Sequence, residues 1–306
     1  MDKNEFKKIE IHLKHNVNEY KAYLMANMSE VKKFIDVQKE KNSVDFNSHY
    51  NEEEHLFDLG MYLILDLALE FSDQPDTVCK NKKQKTIEYT EPSKFSNKLK
   101  FSFRNFLFTL FNTLLSIKIL LKRGLSHQAT ILTRYYIETT ELIIALMFDN
   151  ELYEIYMQDY GDENEFKKWK RYFTPEKIRK VITKYENTVD INFNLYDFRK
   201  RQYNNLSQTV HNNFVDLNLG CLGTDFKNND CFKYNIAGAI TKDIEQTIAP
   251  AIYSTGIFLL YITEILCDVR NIKFCESNKD GDIPYLVALE LYKNIYFTYA
   301  HKNATN

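Results

Sequence analysis

The chain is expected to fold as an all-α protein: a multi-helix bundle with an N-terminal helical extension. Three observations carry that expectation. Glycine and proline are scarce, 8 and 5 in 306 residues, and the tight turns of sheet-rich chains consume both. Apolar residues recur at helical spacing through several long segments. Aromatic rings are abundant, with 22 Phe and 21 Tyr against one Trp. So many rings suit the wide gaps of an irregular bundle better than the narrow seam of a coiled coil.

The elements follow in order. The first 40 or so residues are helical and polar, with Phe6, Ile9, Leu13, Tyr20 and Leu24 as a partial apolar stripe. A second helix runs from about Glu52 into Phe71 and carries Leu56, Leu59, Leu63 and Leu67. Between Ser72 and Lys94 periodicity is lost and Lys80, Lys82, Lys83 and Lys85 collect, as in a linker or mobile loop. The strongest helical signal begins near Ser96 and stops at Gly124, a natural C-terminal cap. Ser126 can cap the next helix, so the two form an antiparallel pair. That next helix, through TILTRYYIETTELIIALMF, is apolar nearly all round and therefore central.

Thr174-Pro175-Glu176 is a helix start with Pro at the first position. Further helices are expected over about Asn194–His211, about Ile236–Arg270 and after Pro284, with no internal repeat and no strand. The organisation is thus residues 1–95 as extension and basic loop, 96–275 as bundle core, and 276–306 as a C-terminal helix packed on the core. Two greasy segments, Phe101–Leu121 and Ile248–Leu266, are interrupted by Arg104, Lys118, Pro250 and Glu264. Neither has the roughly 18 uninterrupted apolar residues of a membrane span, so both are assigned to a soluble core.

A formal charge of -2 gives no global attraction to nucleic acid, and binding of that kind must come from local patches. Cys79, Cys221, Cys231, Cys267 and Cys275 contain no CxxC pair. With no signal peptide at the start, reduced thiols in the cytoplasm are expected. Phosphate-binding glycine loops, HExxH, GxSxG and the dinucleotide fingerprint are absent, so no cofactor and no metal is expected. Glu52 and His55 fit one half of a di-iron motif without a mate, and His12 and His15 lie on a polar helix.

Two constellations remain. Arg134 and Glu138 are four apart and share a helix face, where they can pair. Their neighbours are mostly apolar, so the pair is expected to be partly buried and to need a third partner or each other. Read structurally, it is an intrahelical salt bridge. In YNNLSQTVHNN, Tyr203, Ser207 and His211 form a slowly drifting row beside Leu195, Phe198 and Leu206. A hydroxyl one turn before an imidazole can orient it, and His exchanges protons near neutrality. Read structurally, His211 caps a helix that stops at Asn212 and Asn213.

The run GLSHQATILTRYYIETTELIIALM, followed later by YNNLSQTVH, resembles a bacterial all-helical family of unknown function. In that family a Gly leads into a helix with Arg-x-x-x-Glu, and a Tyr-x-x-Leu-Ser-x-x-x-His helix follows. The resemblance covers roughly residues 101 to 270 and carries over Arg134, Glu138, Tyr203, Ser207 and His211. The family is similar in layout to HEPN domains, four-helix bundles that often dimerise. Many of those are metal-independent ribonucleases of toxin and antiviral-defence systems. A homodimer with RNA or a regulatory protein as partner is what the resemblance implies; that no membrane is involved is expected from the interrupted apolar segments. The chain departs from the HEPN signature, because no Arg is separated from a following His by four to six intervening residues, and Arg201 lies ten before His211. A ribonuclease built here would bring Arg134 from a neighbouring helix, with His211 as base for the 2′-hydroxyl, Arg134 on the phosphate and Glu138 orienting one of them.

From Glu165 to Lys180, Lys167, Lys168, Lys170, Arg171, Lys177, Arg179 and Lys180 interleave with Trp169, Tyr172 and Phe173. Cations among rings suit single-stranded nucleic acid, through phosphate contacts and stacking, with Lys167, Lys168, Lys170 and Arg171 as its binders. Read structurally, the run is a solvated helix face. Two functions stay open: an RNA-acting enzyme with a composite Arg134/Glu138/His211 site, or a non-catalytic helical module that binds a protein or a nucleotide.

Overall fold

The computed structural model describes residues 17–71, 87–89, 97–158, 162–189, 195–210, 222–224, 226, 232–234, 238–274 and 284–304. Its helices are α1 (Val17–His49), α2 (Asn51–Glu70), α3 (Asn97–Lys122), α4 (Ser126–Phe148) and α5 (Asn150–Met157). They continue as α6 (Asp162–Lys168), α7 (Pro175–Thr188), α8 (Leu195–Val210), α9 (Glu245–Glu264) and α10 (Tyr285–Ala304). The protein is an all-α bundle. His12, His15, the lysines at 80–85 and His211 lie outside the described residues, as do Cys79, Cys221, Cys231 and Cys275.

α4 is the centre, packed against α3, α7, α8 and α9, while α2 lies on α3 and α9 and α10 on α2 and α9. On α3 the inward positions Phe103, Leu107, Leu110, Leu114, Ile117 and Leu121 recur every three or four residues and are buried. Burying each of these side chains contributes about 1.5–3 kcal/mol. α2, expected in an extension, places Leu56, Leu63, Ile64 and Leu67 in the same core cluster as α3, α4 and α9. α9 with its flanking turns (Lys242–Val269) and α3 (Lys98–Lys122) are long and apolar enough to cross a membrane by length and composition. Within the bundle, α9 buries Phe258, Leu259 and Ile262 completely.

The α3–α4 turn shows why Gly124 stands where it does. Its φ of +71° is left-handed, and a Cβ there would run into the backbone of Ala239. Gly238, at φ +96°, has its own missing Cβ aimed at the carbonyl of Arg123. The amide of Ala239 donates to the Gly124 carbonyl (3.2 Å), and Asn42 Nδ2 of α1 donates to the Arg123 carbonyl (2.7 Å). Ser126 is the first residue of α4 and not its cap. Leu125 precedes it without a side-chain bond, and the Ser126 carbonyl accepts from Thr130.

Two further expectations are corrected. The helix expected over 236–270 is a 3₁₀ turn (Lys242–Ile244), then α9, then a π turn (Ile265–Val269). Strands do occur: β1 (Ile87–Tyr89) pairs antiparallel with β4 (Ile272–Phe274), and β2 (Leu222–Thr224) with β3 (Phe232–Tyr234). Each has three residues, too short for an alternating pattern to stand out. Past the π turn, Arg270 is buried and donates to the carbonyls of Met147 (2.7 Å) and Leu146 (3.3 Å) and to Asn150 Oδ1 (3.2 Å). It thereby satisfies the open C-terminal end of α4, while its own burial lowers its pKa.

Candidate functional site

On the solvent side of α4, Gln128, Ile131 and Tyr135 are exposed, so this central helix is not buried all round. Arg134 and Glu138 lie at the edge of that face and pair, Nε to Oε1 at 3.1 Å. Arg134 also donates from Nη2 to Tyr203 Oη of α8 at 2.7 Å. Three of the five residues singled out as catalytic are therefore joined directly across α4 and α8. Ser207 follows one turn after Tyr203; its Oγ, like Arg134 Nη1, is buried without a hydrogen-bond partner among the described residues. His211 lies outside the described residues, and no distance ties it to Arg134.

One turn further along α4 is a second network. Glu141 receives Arg179 Nε on both oxygens, at 3.2 and 3.0 Å. Arg199 Nε of α8 stands 3.8 Å from Glu141 Oε1, and its Nη2 donates to Glu186 of α7, which also accepts from Tyr261 Oη at 2.9 Å. Arg134 and Arg179 both sit against the ring of Tyr203, 4.7 and 4.5 Å from its centroid. Burial pushes the Glu141 carboxyl up, against the pull of Arg179 and Arg199. Formal charges balance: Arg134, Arg179 and Arg199 face Glu138, Glu141 and Glu186. Such a network ties α4, α7, α8 and α9 together, since removing either member of a buried pair strands a charge.

Arg179 belonged to the expected basic surface and is instead core. The signal was its spacing: Arg179, Ile182 and Glu186 lie on one face of α7 with Ile178 and Tyr185, all buried. Glu141 was equally readable, three residues past Glu138 on the same helix.

Beside these networks opens a cleft of about 640 Å³ between α4, α5, α6 and α7. Tyr135, Tyr156, Trp169 and Phe173 supply its rings, and Glu138, Glu141 and Glu165 its carboxylates. Tyr135 and Trp169 are 49% and 46% exposed, so both rings are accessible. Trp169 and Phe173 bound a π turn that ends α6. The wider turn frees carbonyls, and Lys177 Nζ takes those of Lys170 (2.8 Å) and Arg171 (2.6 Å). Among the described residues Glu138 has only Oε1 engaged, by Arg134.

Of the four expected nucleic-acid binders, Lys168 is withdrawn from solvent, its ammonium on Glu165 Oε1 and the Gln158 carbonyl, both at 2.8 Å. Lys167, Lys170 and Arg171 are exposed. Phe166 and Trp169 lie parallel on the surface, centroids 6.4 Å apart, with Lys170 Nζ 4.5 Å from the Phe166 centroid. Lys180, Lys184, Lys200 and Arg201 extend the exposed cations along α7 and α8. Among the described residues no cluster of three metal-ligating side chains occurs; Glu52 holds Lys302, and His55 Nδ1 is bonded to the Asn51 carbonyl. Cys267 is a free thiol whose pKa burial raises.

Compared with known proteins, the chain matches no family model, no curated protein and no solved structure.

Proposed function

We propose that the protein is a helical binding module for single-stranded RNA, with the cleft between α4 and the α6 π turn as the pocket for a base. The carrying observation is the coincidence of accessible rings, Tyr135 and Trp169, with exposed Lys167, Lys170 and Arg171 immediately around Trp169 in the chain. Stacking on such rings contributes about 1–3 kcal/mol per base, and surface cations add a salt-sensitive attraction to phosphate. The cleft volume falls in the range of small-ligand pockets, about 300–1,000 Å³. The Arg134 and Arg179 networks act here as rigid wall. Their guanidinium groups have carboxylate partners and do not line the cleft.

Trp169 is the only tryptophan in the chain, so its fluorescence reports on the cleft directly. Titration with a mixed-sequence RNA oligomer should quench or shift it, more weakly as salt rises. Tyr135→Ala should weaken binding roughly 5- to 100-fold, the loss of one stacking ring. Lys170→Ala with Arg171→Ala should flatten the salt dependence. A signal that RNA leaves unchanged overturns the reading.

One observation favours an RNA-cleaving enzyme instead: Arg134 Nη1 and Ser207 Oγ are buried donors without partners among the described residues, on facing helices. Cleavage of mixed RNA without added metal, abolished by His211→Ala, would establish that reading.

A further inference from the structure

The carboxylates of the cleft decide which way round a nucleotide enters it and which base it holds. Glu138, Glu141 and Glu165 all line it, and Lys168, the one cation among its described lining residues, is already bound to Glu165 and the Gln158 carbonyl. A phosphate therefore meets no uncommitted cation among the described lining residues and belongs outside, where Lys167, Lys170 and Arg171 are exposed. The base must enter with an edge that donates hydrogen bonds.

Glu141 is withdrawn from the opening: it is 3% exposed, and Arg179 engages both of its oxygens. Glu138 has an oxygen to offer: Oε1 is fixed by Arg134 Nε, which Tyr203 steadies, while Oε2 meets no donor among the described residues. A carboxylate has about four acceptor positions, so this one is held in orientation without being used up.

Resting on the RNA-binding reading, we propose that the cleft is a guanine subsite in which Glu138 is the specificity-determining residue. Guanine alone among the four bases presents two adjacent donors, N1–H and the N2 amino group, which a carboxylate can accept side by side. Adenine and cytosine set a ring-nitrogen lone pair beside their amino group, and that lone pair would face the carboxylate. Uracil has a single N3–H between two carbonyl oxygens, which a carboxylate repels.

The test titrates the full chain with the four nucleoside 5′-monophosphates at pH 7.5, read by Trp169 fluorescence. GMP should bind at least about tenfold tighter than AMP, CMP or UMP, the scale of one good paired contact. Glu138→Gln, whose amide oxygen still accepts from Arg134, should lose that preference while keeping the others' affinity, and a thermal melt checks that it is folded. Equal affinity for all four bases, or a preference that survives Glu138→Gln, overturns the guanine assignment and leaves the binding reading standing. No response to any nucleotide or to RNA overturns both.

Discussion

Arg179 and Arg134 show how differently a single charge can be placed on one bundle. Arg134 and Glu138 were legible because a four-residue spacing on a mostly apolar helix forces a pair. Arg179 read as surface because its neighbours Lys177 and Lys180 are charged, although its seven-residue step to Glu186 puts both on the buried face. The cost of emptying this position is set by what remains. Arg179→Ala leaves Glu141 buried without its two hydrogen bonds and should destabilise the fold by about 3–5 kcal/mol. Replacing both partners, Arg179→Met with Glu141→Leu, should recover most of that loss in urea unfolding. If the double variant is as unstable as the single one, the pair does more than neutralise itself. Ser207 belongs to the same α8 row as Tyr203, yet of these two only Tyr203 makes a direct bond to Arg134. Spacing along one helix does not say how the facing helix is rotated.

At the scale of elements, helix ends were read better than helix irregularities. The starts of α2, α3 and α7 follow from periodicity and from Pro175. The two π turns, at the ends of α6 and α9, have no such mark, because an i→i+5 turn requires no particular residue type. One of them carries Trp169 to the cleft, which is why the cleft itself could not be read. The α3–α4 turn was recognised from Gly124, whereas its counterpart Gly238 sits in a stretch whose pairing is set only by the fold. Gly238→Ala must accept a left-handed φ, about 1–2 kcal/mol for an ordinary residue, and also displace the Arg123 carbonyl. A loss above about 2 kcal/mol in the unfolding free energy is expected, with α4 intact by circular dichroism.

For the molecule as a whole, carboxylates at different depths respond to acid in opposite directions. Burial acts to raise Glu54, but Lys122 and Lys118 outweigh it and hold its carboxyl below the usual range. Its share of stability is therefore present above its unfolded pKa and lost as pH falls through the lower folded value. Glu141, raised by burial, behaves inversely: its ionisation costs stability as pH climbs through its folded pKa. Lys122→Met should lower stability by about 1 kcal/mol or less at pH 7, with the difference from wild type shrinking in urea midpoints as pH falls through the lowered folded pKa of Glu54. The bundle class was plain from composition, but the sequence did not disclose that α2 shares one core with α3, α4 and α9.

The packing of α10 on α2 also reaches into how the protein is made. Glu52 and Lys302 meet at 2.7 Å although 250 residues separate them, and Tyr292 and Tyr296 are buried in the shared core. While ribosomes are still producing the intervening helices, part of the α2 surface has nothing to lie against. Until residues 285–304 emerge, that greasy strip is open to other nascent chains and to chaperones. Yield in cells should therefore depend on chaperone supply more than the equilibrium stability of the finished bundle would suggest.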